Sequence, residues 1–324
     1  MHTSLVSLGA LNIRLASRPF SRITVPLMVR RCFGRHTIML DEDSFALLLA
    51  ISQHPVFGPT LDTLVLDIRF IIGPDDVRET EPPRDVNKAY DKALEERDLI
   101  MQSGFYAFIS QTIAAFPNLA SIEISSWSYP WGGATRERQL GWPFLGVGSP
   151  FKSVITGELT TAGHLIGKVI NRMNQAVAES GIALSEFWVN IKNINPTIFH
   201  RAYKNNNEQS AEVETLNIWG IGVPGPIYTY DGSTEDRGFG RELISLIGLF
   251  SGVLKLDLNF EHDACTETGR CFANLSKNLR LPKLQELILG NTSCKATELM
   301  LAHKHTITQV SLVRVSMIRN GRSW

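Results

Sequence analysis

Residues 281–317, LPKLQELILGNTSCKATELMLAHKHTITQVSLVRVSM, read as strand, helix, strand. Leu284, Leu287 and Leu289 recur as L-x-x-L-x-L, the alternation of a strand that buries one face. Residues 295–303 place Leu299, Met300 and Ala302 on a helix, and Val310 and Leu312 restart the strand pattern. A unit this small cannot bury its own apolar face, so it requires neighbours of the same kind.

Such neighbours recur upstream. Residues 45–53 read as a helix stopped by Pro55, and residues 63–68 as a strand with Leu64 and Leu66 on one face and Val65 and Asp67 on the other. Asp85 caps a long helix reaching about residue 115, and after Pro117 a strand follows with Ile122 and Ile124 inward and Glu123 and Ser125 outward. Thr160 or Thr161 opens a further helix, with Leu165, Ile166, Val169, Ile170, Met173 and Val177 on one face and Gly181 after its end. Strands are expected at 187–191, 213–218 and 253–259, and helices at 241–250 and near 271–277. Helix, break, then L-x-x-L-x-L is the pattern of a leucine-rich repeat, here irregular. Leu216, Leu256, Leu287 and Val310 lie 40, 31 and 23 residues apart, and the asparagine of a regular repeat falls one residue early, at Asn291.

Composition agrees with an extended repeat array. The chain has 324 residues, with Lys+Arg and Asp+Glu equal at 32, so no net field favours nucleic acid. A hydrophobic share of 44% suffices for a large core. No apolar run approaches the roughly 18 residues that span a bilayer, so no membrane partner is expected. Cys32, Cys265, Cys271 and Cys294 are too few and scattered for a disulfide framework, which suits a reducing compartment, cytoplasm or nucleus.

Residues 1–36 contain no Asp or Glu but six arginines and frequent serines, a bias shared with mitochondrial transit peptides. They also have internal order. Leu8, Leu11 and Leu15 sit at helical spacing, Pro19 interrupts, and Ile23, Leu27 and Met28 resume. With SRPFSRITVPLMVRR at 17–31, this segment resembles the second half of the F-box of fungal F-box proteins; the box's opening L-P-x-E-[IL] is missing. ISQHPVFGPTLDTLVLD at 51–67 is similar to the family's first repeat strand, and Leu312, Val315, Gly321, Ser323 and Trp324 to its closing string. Family members usually continue past that string, which implies a chain clipped at both ends.

The resemblance implies an α/β fold: an irregular leucine-rich-repeat solenoid, parallel strands on one face and helices on the other, with a short N-terminal helical F-box-like remnant. The expected division is 1–36 and 37–324. It further implies the substrate-recognition subunit of an SCF-type ubiquitin ligase. Leu8, Leu11, Leu15, Phe20 and Ile23 would hold the SCF adaptor protein and its cullin complex, and the repeat face an unknown target protein. The alternative is a leucine-rich-repeat scaffold without a ligase role.

No chemistry of its own is expected. G-x-S-x-G, P-loop, G-x-G-x-x-G and H-E-x-x-H are absent, so no catalytic residue and no cofactor is assigned. His262, Cys265, Cys271, His303 and His305 lack the spacing of a metal site. What remains is surface. The positions between the buried leucines form an expected exposed row: Asp67, Glu123, Trp188, Asn190, Asn217, Trp219, Asp257, Asn259 and Ile288. Aromatics with a polar surround suit protein recognition, so Glu123, Trp188, Asn190, Asn217, Trp219, Asp257 and Asn259 are the target-binding candidates. Two insertions, 126–150 with five aromatic rings and 222–240, either pack back on the repeats, covering Trp188 and Trp219, or carry function.

Overall fold

A computed structural model describes residues 27, 29–31, 33–40, 42–68, 105–126, 161–194, 210–221, 239–260, 275, 278–294, 296–319 and 322–323. The architecture is α/β, with a nine-stranded parallel sheet. In chain order the described elements are β1 (Arg35–Met39), α1 (Glu42–Gln53), β2 (Thr63–Asp67), α2 (Phe105–Ala114), β3 (Ser121–Ser125), α3 (Thr161–Ser180), β4 (Leu184–Ile194) and β5 (Ala211–Ile221). There follow α4 (Phe239–Ile247), β6 (Phe250–Ser251), β7 (Lys255–Phe260), β8 (Glu286–Gly290), β9 (Ser293–Cys294), α5 (Ala296–Ala302), β10 (Gln309–Val313), β11 (Ser316–Arg319) and β12 (Arg322–Ser323).

Parallel neighbours cannot be joined by a tight hairpin, so each step needs a crossover. The strands pair in the order β1-β2-β3-β4-β5-β7-β8-β10, with β6 beside β5. No described strand is skipped along that path except short β6 and β9. Leu216, Leu256, Leu287 and Val310, spaced irregularly in sequence, are direct neighbours in register. Varying crossover length therefore leaves the register intact.

A backbone contact recurs at five of the seven steps along this path. The carbonyl just ahead of one strand accepts two N–H groups from the entry to the next strand. Gly34 accepts from Asp62 and Thr63, Asp62 from Ala120 and Ser121, and Ala120 from Ser185 and Glu186. Leu254 does the same for Gln285 and Glu286, and Gln285 for Thr308 and Gln309, at 2.7–3.1 Å in these two pairs. A buried turn must satisfy its own polar backbone, and this one does so repeatedly by the same bond.

Strand side chains alternate between faces. One inward row runs His36, Leu64, Ile122, Phe187, Leu216, Leu256, Leu287 and Val310; the other runs Ile38, Leu66, Ile124, Val189, Ile218, Leu258 and Leu289, ending at an exposed Leu312 on β10. From Leu64 to Leu287 the first row is fully buried. Helices supply the facing layer: Ile109 and Ile113 of α2, Ile166, Val169, Ile170, Met173 and Val177 of α3, Leu243, Leu246 and Ile247 of α4, and Leu299 of α5. Each fully buried aliphatic side chain contributes about 1.5–3 kcal/mol. Asn174 of α3, itself buried, accepts the Ala211 N–H at 3.2 Å and so ties this layer to the start of β5.

Several sequence expectations change. β1 was not anticipated; it begins at Arg35, so the sheet starts ahead of the expected boundary after residue 36. Of the helix expected from Asp85, only Phe105–Ala114 is described. Near 271–277 the description is confined to Leu275. The closing string forms a small separate sheet, β11 pairing parallel with β9 and antiparallel with β12. Residues 1–26, the insertions beyond Ser126 and the segment 222–238 lie outside the described residues.

His36 holds, in β1, the row position that Leu, Ile or Phe takes in the next six strands of the row. Burial lowers its pKa from the ordinary 6.5. The unfolded chain therefore takes up this proton first as pH falls. Stability from this position is expected to be intact above about pH 6.5 and to be lost below it, toward the depressed folded value. Denaturant midpoints at about pH 7.5 and about pH 5.5 check this; His36→Leu is expected to narrow the difference between them.

Candidate functional site

The strand positions facing away from the helices form three rows across the sheet. The central one is Thr37, Val65, Glu123, Trp188, Asn217, Asp257, Ile288 and Ser311. To one side of it run Asp67, Ser125, Asn190, Trp219, Asn259 and Gly290; to the other, Arg35, Glu186, Lys255 and Glu286. The structure thus brings all seven target-binding candidates onto one face, across β3, β4, β5 and β7.

The face is not the exposed row expected from alternation. Asp67, Glu123, Asn217 and Asp257 are buried, and Trp188, Asn190, Asn259 and Ile288 half-buried; Trp219 alone among the candidates is exposed, at 36%. For Glu123 and Asp257 the physical reason is reach. Strands about 4.8 Å apart let long side chains fold over short ones. Arg35 crosses β2 to place a guanidinium nitrogen 2.5 Å from Glu123 Oε2, and Asn190 donates to Glu123 Oε1 at 3.3 Å. The Trp219 indole donates to the Asp257 carboxylate. Trp188 donates from Nε1 to Glu186 Oε2 at 2.8 Å. The two indoles meet edge-to-face, centroids 5.4 Å apart and planes at 72°.

Further along, Lys255 Nζ lies 3.1 Å from Glu286 Oε1. Asn291, with φ of 53°, donates from Nδ2 to Asn259 Oδ1 at 2.8 Å. Gly290 fits beside Asn259 because it lacks a Cβ, which would stand 2.8 Å from that same oxygen. In contrast, the Asn217 Nδ2 finds no hydrogen-bond partner among the described residues although Asn217 is 2% exposed.

Asp257 carries a pKa above the ordinary carboxylate value. Burial is the main cause; Glu286 adds to it, while the Trp219 hydrogen bond and Lys255 oppose it. A raised folded pKa means the ionised carboxylate is less comfortable folded than unfolded, and the penalty is relieved as pH falls through the folded value. Asp257→Asn keeps an acceptor for Trp219 and is expected to raise the melting temperature at neutral pH. That gain is expected to vanish in acid, where both states are protonated; thermal melts of both proteins across pH check it.

Glu186, Arg35, Lys255 and Glu286 were missed in sequence. The signal existed for Glu186, which shares the face of Trp188 by lying two residues before it. Glu123 and Arg35 are 88 residues apart, and no local pattern announces that pair. His303, weighed above as a metal ligand, is a structural residue. Its Nε2 accepts the Leu281 N–H at 3.1 Å and its Nδ1 lies 3.1 Å from the Leu299 carbonyl, so Nδ1 carries the proton. The adaptor-binding candidates Leu8, Leu11, Leu15, Phe20 and Ile23 lie outside the described residues.

No protein-family model and no curated protein sequence matches the chain. No helix among the described residues is long and apolar enough to cross a membrane.

Proposed function

We propose that the chain is the substrate-recognition subunit of an SCF-type ubiquitin ligase, built on an irregular leucine-rich-repeat solenoid whose outward sheet face holds the target protein. The repeat reading is supported by strands paired in chain order and by the double-acceptor carbonyl that recurs ahead of successive strands. A packed helix–sheet sandwich would need neither. The recognition reading is carried by the Trp188–Trp219 pair with its carboxylate and amide surround, in the middle of the one sheet face no described helix covers.

A ligase subunit must also hold its target at a fixed place relative to the adaptor. The junction supports this. The helical residues 29–31 lead into β1 through a Gly34 N–H to Arg30 carbonyl bond of 2.8 Å, and Phe33 stacks on Phe57 with centroids 4.2 Å apart. His54 stacks on the other side of the contact, 4.0 Å from Phe57. The helical residues 29–31 thus enter the sheet without a loose linker.

A pull-down with the SCF adaptor tests the proposal. The full chain is expected to capture the adaptor, and a chain lacking residues 1–26 to lose it. No capture by the full chain, while an intact F-box control binds, removes the ligase role and leaves the repeat scaffold.

A further inference from the structure

The target reading leaves open what kind of group the sheet face takes, and the Trp corner narrows it. Both indole N–H groups are committed, Trp188 to Glu186 and Trp219 to Asp257. Their edges are therefore fixed, and the electron-rich faces are what the corner offers to a ligand. The described positions of this face carry Asp67, Glu123, Glu186, Asp257 and Glu286 against Arg35 and Lys255, five acids to two bases. Both bases are already engaged, Arg35 with Glu123 and Lys255 with Glu286. The field at the corner favours a cation.

A second observation points to a ligand independently. Asn217 stands between Trp188 and Asp257 in the central row, and its buried Nδ2 has no partner among the described residues. A buried donor left without an acceptor destabilises the fold. An acceptor delivered by another molecule would remove that cost.

On the target-surface reading above, we propose that this corner binds an arginine of the target protein, its guanidinium stacked on an indole face and directed at Asp257, its own backbone carbonyl accepting from Asn217. Arginine fits better than lysine because a planar guanidinium stacks on indole and reaches a carboxylate with two parallel N–H bonds. Asp257 then has a reason to remain a carboxylate in a place that disfavours one.

N-acetyl-arginine methylamide and its citrulline counterpart, alike in shape but uncharged, are titrated into the full chain. The readout is the indole N–H resonances, assigned through Trp188→Phe and Trp219→Phe. The arginine probe is expected to shift both resonances saturably and to bind about tenfold more tightly than the citrulline probe. Asp257→Asn is expected to erase that preference by weakening the arginine probe alone, and Asn217→Leu to weaken both. Since Asp257→Asn is expected to melt no lower than the native chain, its loss of preference is not unfolding. Equal affinity for the two probes, or no shift of either resonance, overturns the proposal. A failed titration beside a positive adaptor pull-down removes the arginine site alone; a positive titration beside a failed pull-down removes the ligase role alone.

Discussion

Phe187→Ala is expected to lower the unfolding free energy by about 3–5 kcal/mol. Phe187 is fully buried at the middle of the inward row, between Ile122 on β3 and Leu216 on β5. It also packs on Phe250, centroids 4.7 Å apart. Removing the ring leaves a cavity bounded by two paired strands, whose backbone hydrogen bonds prevent them from closing in. Total stability is about 5–15 kcal/mol for a folded domain, so one such change takes a large fraction of it. Urea unfolding checks it: a loss below about 1 kcal/mol would show that the ring is not where the register puts it.

Gly34→Ala is expected to cost about 2–3 kcal/mol, far more than a surface glycine substitution. The Gly34 N–H closes onto the Arg30 carbonyl, and its own carbonyl accepts from Asp62 and Thr63, both at 2.9 Å. A Cβ there would fall well inside contact of the Arg30 carbonyl oxygen and 3.5 Å from Asp62 Oδ2. A backbone oxygen cannot swing aside, so the helical turn must open or β1 must shift along β2. Gly290→Ala is the control. Its Cβ meets the end of the Asn259 side chain, which can rotate, and the expected loss is smaller. Thermal melts of the two variants check the order; an equal effect would mean that the turn at residues 30–34 is not seated on the sheet.

These two positions also show what a sequence can and cannot reveal here. Phe187 was legible, because alternation over residues 187–191 places it on the apolar side whatever the neighbours are. The same alternation ordered Leu64, Ile122, Leu216, Leu256, Leu287 and Val310, and the irregular spacing between them did not matter, since extra residues are absorbed in the crossovers. β1 was not legible. Its RHTIM opens with a charge and puts His36 where the later strands carry Leu, Ile or Phe, and it follows an arginine-rich segment. Only the hydrogen bonds to β2 define it.

The outward face was legible in membership but not in state. Parity names Glu123, Trp188, Asn217, Trp219 and Asp257 correctly as one side. It cannot say that Arg35, from a strand two places away, crosses β2 to reach Glu123, or that an indole donates to Asp257. At Glu123 and Asp257 burial depends on long side chains crossing between strands distant in sequence, which is a property of the assembled sheet. The unmet donor of Asn217 is of the same kind.

The central claim is that strands from distant parts of the chain lie side by side in chain order, one face packed on helices and the other carrying the Trp188–Trp219 pair. Spin-label distances measure it most directly. In a chain with the four native cysteines replaced, labels at Thr63→Cys paired with Lys255→Cys or with Gln309→Cys lie on the same row, four and six strands apart. At about 4.8 Å per strand, the expected separations are about 19 Å and about 29 Å, the second shortened slightly by sheet curvature. A separation to Gln309 equal to or shorter than that to Lys255 would contradict the strand order, and with it the recognition face.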